Sequence, residues 1–192
     1  MKLDNDTNYI VSGLERSGTS MLMQIINAGD IPISFDKSRK PDNNNPKGYF
    51  ELEGGKIINK LIEGVFPFEL YKGEFIKITS YGLKYLPDGK YKIIYSERNI
   101  DEVLDSMEKM TGEKDKDRLK NKDSFQKLNK MIKQKIISRD DIEVLFLNYN
   151  EILKEPEKNI KKIISFLKIN ILDVEEMIRV IDSGLYRHRR SD

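Results

Sequence analysis

Between Asn8 and Ala28 the chain reads NYIVSGLERSGTSMLMQIINA, and no other stretch restricts its fold so strongly. Tyr9-Ile10-Val11 is short and apolar, the pattern of a buried strand. A turn holding Gly13 and Gly18 follows, and Met21-Leu22-Met23-Gln24-Ile25-Ile26 then begins a helix. Strand, glycine-bounded turn and helix in succession build an anion site from the backbone. The glycines allow a tight turn with N–H groups aimed inward, and the helix adds its unsatisfied first amides and positive dipole end.

The spacing is that of a phosphate-binding P-loop, with one change. Where a nucleoside triphosphatase places lysine this chain has Thr19, followed by Ser20, and the nearest cation lies inside the turn at Arg16. Arginine offers a fixed fork of donors suited to phosphate or sulfonate oxygens. Without the lysine that reaches the β- and γ-phosphates, the loop is expected to hold a phosphate but to handle ATP poorly.

Further along, Phe75-Ile76-Lys77-Ile78-Thr79, Tyr91 to Ser96 and Ile142 to Leu147 read as three more strands. The last is nearly all apolar, as in a parallel strand covered on both faces. Helices are expected from about Glu53 to Glu63, after Arg98 with Val103, Leu104 and Met107 on one face, and from Lys127 to Ile137 with Leu128, Met131 and Ile132 as its apolar residues. Two more are expected, one after Pro156 at its first turn and one over Asp173 to Ile181, with Gly29 ending the first helix of the chain. Asp36 to Lys47 is a turn-rich loop, and Thr111 to Ser124 is expected to be an exposed, mobile, charged connection. Strands alternating with helices predict an α/β three-layer sandwich with a central parallel sheet, of the P-loop NTPase-like class. Ligands in such sheets sit beyond the carboxyl ends of the strands, where Gly13, Thr79 and Arg98 fall.

The 192 residues suit a single domain over 1–192. With 34 basic against 32 acidic residues the net charge is +2, which argues against a dedicated nucleic-acid binder. There is no cysteine and one histidine, His188, so cysteine-based and multi-histidine metal sites are excluded. No apolar run is long enough to cross a bilayer and the N-terminus lacks a signal-peptide core, so a soluble cytoplasmic protein is expected.

Arg98 at a strand end and Ser106 eight residues on gain meaning beside the Arg16 to Ser20 loop. Together they resemble the sulfotransferases that use 3′-phosphoadenosine-5′-phosphosulfate (PAPS). Arg16-Ser17-Gly18-Thr19-Ser20 fits the family's 5′-phosphosulfate loop, [R/K]-S-G-T-[S/T], and Tyr95 to Ser106 looks like its 3′-phosphate signature of Arg followed by Ser. Val144 to Leu167 is similar to its later strand, turn, proline and helix. Asn45-Pro46-Lys47-Gly48-Tyr49-Phe50-Glu51 is similar to a segment of bacterial members. The resemblance covers about three quarters of the chain and leaves out Thr111 to Ser124. It implies that Arg16, Ser17, Gly18, Thr19 and Ser20 hold the 5′ end and Arg98 with Ser106 the 3′-phosphate. It also implies sulfuryl transfer to a hydroxyl or amine of a small-molecule or saccharide acceptor, leaving adenosine 3′,5′-bisphosphate, without a metal.

Cytosolic members of that family carry Lys-Thr-His on the second strand, the lysine near the sulfonate and the histidine as base. Here Lys77 is kept, but Thr79 stands where the histidine would be, and threonine is no base near neutral pH. Other branches use glutamate. Glu51 is then the first candidate base and Glu53 the second, and a glutamate in that role needs its pKa raised by burial. The residues leave two other readings open: a P-loop kinase with a displaced cation, and a regulatory nucleotide-binding protein without catalysis.

Overall fold

The computed structural model describes residues 2–170, 174–182 and 184. Its strands are β1 (Asn8–Gly13), β2 (Phe75–Lys77), β3 (Tyr91–Glu97) and β4 (Ile142–Asn148). They form one all-parallel sheet in the order β2-β1-β3-β4. Register sets the site, because Val11 pairs with Lys77, Gly13 with Ser96, and Glu97 with Asn148. The carboxyl ends of the four strands therefore lie side by side, and whatever follows each strand enters the same space.

Residues alternate between the two faces of each strand, so the sheet separates two cores. Tyr9, Val11, Phe75 and Ile94 pack beneath α1 (Thr19–Ala28), α6 (Pro156–Leu167) and α7 (Val174–Arg179). Ile10, Ile76, Ile93 and Tyr95 face α2 (Ile57–Ile62) and α4 (Arg118–Ile137). Helix α3 (Ile100–Thr111) follows β3, and the short α5 (Tyr149–Lys154) follows β4. Gly29 closes α1 and Pro156 opens α6, as expected. No helix among the described residues is long and apolar enough to cross a membrane.

Several expectations are corrected. β4 packs into both cores, as its apolar run suggests, with Leu145 and Leu147 on one face and Ile142, Val144 and Phe146 on the other. It lies at the sheet edge, however, so Glu143 is exposed and Val144, Leu145 and Phe146 are only half-buried. β2 stops at Lys77, before Ile78 and Thr79. The helix expected over Glu53 to Glu63 is broken: Gly54, at φ 61°, interrupts a 3₁₀ turn over Glu53–Gly55, and α2 begins only at Ile57.

The charged connection is largely helical, with α3 running through Thr111 and α4 starting at Arg118. Charge itself orders it. Arg118 lies 2.6 Å from Asp105, Lys122 lies 2.7 Å from Asp101, and the Arg118 guanidinium also donates to the Asp101 carbonyl. Each such pair is weak alone, but several along one seam tie α4 to α3. Within α4 the inward residues are Ile132 and Ile136, and Met131 is exposed. Asp173, at the start of the last expected helix, and His188 in the basic tail lie outside the described residues.

Candidate active site

β1 ends where its backbone must turn sharply. Gly13 has φ 149°, and a Cβ there would stand 2.5 Å from Ser17 Oγ and 2.6 Å from the Ser96 carbonyl. The turn is tied from within, as Ser17 Oγ donates to the Leu14 carbonyl at 2.7 Å. It is also tied from β3, whose Ser96 Oγ donates to the Ser17 carbonyl at 2.6 Å. Arg16 is left-handed at φ 64°, so its side chain leaves the loop on the cleft side. Gly18 caps α1 at φ 99°, and its missing side chain matters more than its flexibility. A Cβ would fall 2.2 Å from the ring of Tyr149, the first residue of α5.

Gly18→Ala is accordingly expected to destabilise the fold by about 2 kcal/mol through strain and overpacking. The cost should shrink in a Tyr149→Ala background, where the ring is gone. Denaturant midpoints of the two single variants and the double variant measure this coupling directly.

Around the loop lies a cleft of about 340 Å³. Arg16 and Arg98 both enter it, although their partners differ from the expected division. Arg16 Nε donates to Ser106 Oγ at 3.0 Å and its Nη2 to the Asn44 carbonyl at 3.3 Å. Arg98 Nη1 donates to the Arg16 carbonyl at 3.0 Å, and its Nε donates to Glu102 Oε2 at 3.0 Å. The Arg98 guanidinium also lies 4.6 Å from the centre of the Tyr149 ring. Ser106 thus meets Arg16, while Arg98 braces the loop backbone, and the two arginines form one continuous positive wall. Burial, with Arg98 adding to it, pushes the Arg16 pKa below the ordinary arginine value.

A second group gathers at the other side of Ser20. The Lys77 side chain is only 6% exposed, so it is no solvated strand-edge lysine. Its ammonium donates to the Tyr49 carbonyl at 2.6 Å and to Ser20 Oγ at 3.2 Å, and lies 3.0 Å from Glu51 Oε1. Burial lowers the Lys77 pKa and the Glu51 charge opposes that shift. Asn45 Nδ2 donates to Ser20 Oγ at 2.9 Å, bringing the Asp36 to Lys47 loop against the start of α1.

Glu51 is held from both sides, by Lys77 and by Arg39 at 3.0 Å from Oε2. Arg39 itself lies over Tyr49, its guanidinium carbon 3.4 Å from the ring centre. The Tyr49 hydroxyl donates to Asp42, which helps hold that carboxyl below the usual carboxylate range. Glu53 turns away: it pairs with Lys60 and does not line the cleft. Glu15 is exposed at the rim, and Lys47 donates to the Val180 carbonyl.

The structure therefore brings Arg16, Gly18, Thr19, Ser20, Glu51, Lys77, Arg98 and Ser106 to one cleft, with Ser17 buried behind the loop. Arg39, Lys109 and Tyr149 line it as well. Lys109 had a signal available, since it lies one helical turn beyond Ser106 on the same face. Arg39, in a loop without periodicity, had none.

Comparison with known proteins places this architecture. A mouse sulfotransferase, SULT7A1, crystallised in complex with PAP, superposes with a TM-score of 0.54 at 21% identity, covering 92% of this chain and 63% of the mouse chain. The sulfotransferase domain of the Synechococcus PCC 7002 olefin synthase gives 0.51 at 14% identity, covering 97% and 84%. That of the curacin biosynthetic pathway gives 0.52 at 11%, covering 95% and 80%. At such identities the likeness is one of fold, and the chain spans under two thirds of the mouse protein's length. No curated protein matches it by sequence. The family model described as "Sulfotransferase domain" matches residues 6–191, nearly the whole chain, and the chain belongs to that family.

Proposed function

We propose that this chain transfers a sulfuryl group from PAPS to a hydroxyl or amine of a small-molecule or saccharide acceptor, as a cytoplasmic enzyme. The observation that carries this reading is the single cleft in which a lysine-free anion loop, the start of α1, Arg16 with Ser106, and Arg98 converge. A nucleotide with phosphates at both 3′ and 5′ positions needs anion donors at two points, and the wall from Ser20 to Ser106 offers them. The likeness to a PAP complex supports the same donor here.

When bound, PAPS supplies the sulfuryl group on an S–O bond that breaks with its electron pair left on the 5′-phosphate of the departing bisphosphate. The backbone amides of Thr19 and Ser20 and the guanidinium groups fix and neutralise the phosphates. Lys77, anchored by three partners, places a positive charge beside Ser20 where negative charge develops. Glu51 takes the acceptor's proton as its oxygen bonds to sulfur.

Thermal unfolding tests the reading. Adenosine 3′,5′-bisphosphate at about a hundredfold excess over its Kd should stabilise the fold by about 2.7 kcal/mol, raising Tm by roughly 5–10 °C. ATP with Mg²⁺ at the same concentration should give far less. A preference for ATP overturns the donor assignment.

A further inference from the structure

Glu51 is hard for an acceptor hydroxyl to reach as it stands. Its side chain is 12% exposed and both of its oxygens are engaged, Oε1 by Lys77 and Oε2 by Arg39, each at 3.0 Å. Each oxygen keeps a second lone pair beside its cation, and an acceptor hydroxyl reaches one most directly if one of the two cations yields. Lys77 is the poorer candidate, because it is buried and would abandon Ser20 and the Tyr49 carbonyl as well. Arg39 is 39% exposed, belongs to the loop over the cleft mouth, and faces Glu51 and the Tyr49 ring.

A guanidinium that leaves a carboxylate at a half-buried site needs another anion, or the charge it abandons is costly. Resting on the sulfotransferase reading above, we propose that the acceptor itself supplies that anion. Its chemical class is a hydroxyl compound bearing a carboxylate or phosphate group close to the reacting oxygen. Arg39 exchanges Glu51 for that group, which conserves the number of ion pairs and releases Glu51 Oε2 to face the hydroxyl proton. The Tyr49 ring, fixed through its hydroxyl to Asp42, remains as the surface on which Arg39 turns. A neutral acceptor gives Arg39 no new partner and leaves Glu51 covered. Arg39 is thereby a selectivity residue that admits anionic acceptors.

Nuclear magnetic resonance of arginine side-chain N–H groups reads this exchange without needing turnover. The protein is first saturated with adenosine 3′,5′-bisphosphate, so that the phosphate positions are filled. It is then titrated with benzoate, phenyl phosphate or benzamide. The Arg39 signal, identified by its loss in Arg39→Gln, is expected to shift saturably with both anions in the millimolar range and not with benzamide. Binding of the anions, followed on neighbouring resonances, should weaken at least tenfold in Arg39→Gln. An equal response to benzamide, no response to either anion, or undiminished anion binding by the variant overturns the proposal. Bisphosphate binding without an Arg39 response overturns it alone, whereas failure to bind bisphosphate overturns the donor assignment with it.

Discussion

Arg98→Ala is expected to destabilise the fold by on the order of 3–5 kcal/mol, besides weakening bisphosphate binding. Arg98 and Glu102 are almost wholly buried, with side chains 7% and 1% exposed, and they meet at 3.0 Å across one helical turn. Removing the guanidinium takes a neighbouring cation from the buried Glu102 carboxylate, which also accepts from the Asn150 amide at 3.4 Å. It also removes the donor to the Arg16 carbonyl, so the anion loop keeps its tie to Ser96 of β3 but loses a second brace just beyond that strand. The double variant Arg98→Ala/Glu102→Gln should recover much of the loss, since it removes the buried charge whose neighbouring cation is gone, while bisphosphate binding stays weak. Denaturant midpoints with unchanged m-values give the stability and calorimetry gives the binding. A loss below about 1 kcal/mol in the single variant would place Arg98 among ordinary surface pairs and contradict the burial argument.

This coupling explains what was legible in the sequence. The strand–turn–helix from Asn8 to Ala28 was fully readable because its geometry is local: the glycines, the β-branched run and the apolar helix each act within a few residues. The strand positions followed, and with them the placing of Gly13, Thr79 and Arg98 toward one end of the sheet, because a parallel sheet aligns its carboxyl ends, although β2 stops two residues short of Thr79. What failed was non-local. β4 is covered on both faces, as its apolar run suggests, yet it lies at an edge of the sheet, a place its own composition does not encode. The stretch around Arg118 reads as a loop by its charge, yet Arg118 and Lys122 are matched by Asp105 and Asp101 on another helix.

Within the site, the residue types were legible but the partners were not. Ser106 was assigned to Arg98 through the family's spacing, and in the structure its hydroxyl accepts from Arg16. The left-handed backbone of Arg16 is responsible, because it redirects that side chain across the cleft. The missing side chain of Gly18 was expected to serve the turn, whereas it also makes room for the Tyr149 ring, 131 positions later in the chain. Arg39 was invisible for the same reason: a loop rich in proline and asparagine has no period from which a facing residue can be inferred.

Glu51→Gln is expected to lower turnover by about 10²–10⁴-fold while leaving bisphosphate affinity nearly unchanged. The substitution keeps the shape, and its amide oxygen can still accept from Lys77, but it cannot take a proton from the acceptor. A purely structural Glu51 would behave differently, since losing the partner of a buried lysine should then weaken nucleotide binding and turnover together. An internal control comes from Lys77. Burial holds its pKa below the ordinary lysine value, and the Glu51 charge is the first influence opposing that fall. Without the carboxylate the folded-state value drops further below the unfolded one. Between the two values the unfolded chain binds more protons than the folded protein, so stability rises with pH across that window. The variant should therefore gain stability on the alkaline side, up to the unfolded value near 10.4, more steeply than the wild type does. A profile no steeper than the wild type's would mean that Lys77 and Glu51 do not share charge as the 3.0 Å contact requires, and the catalytic assignment would lose its support.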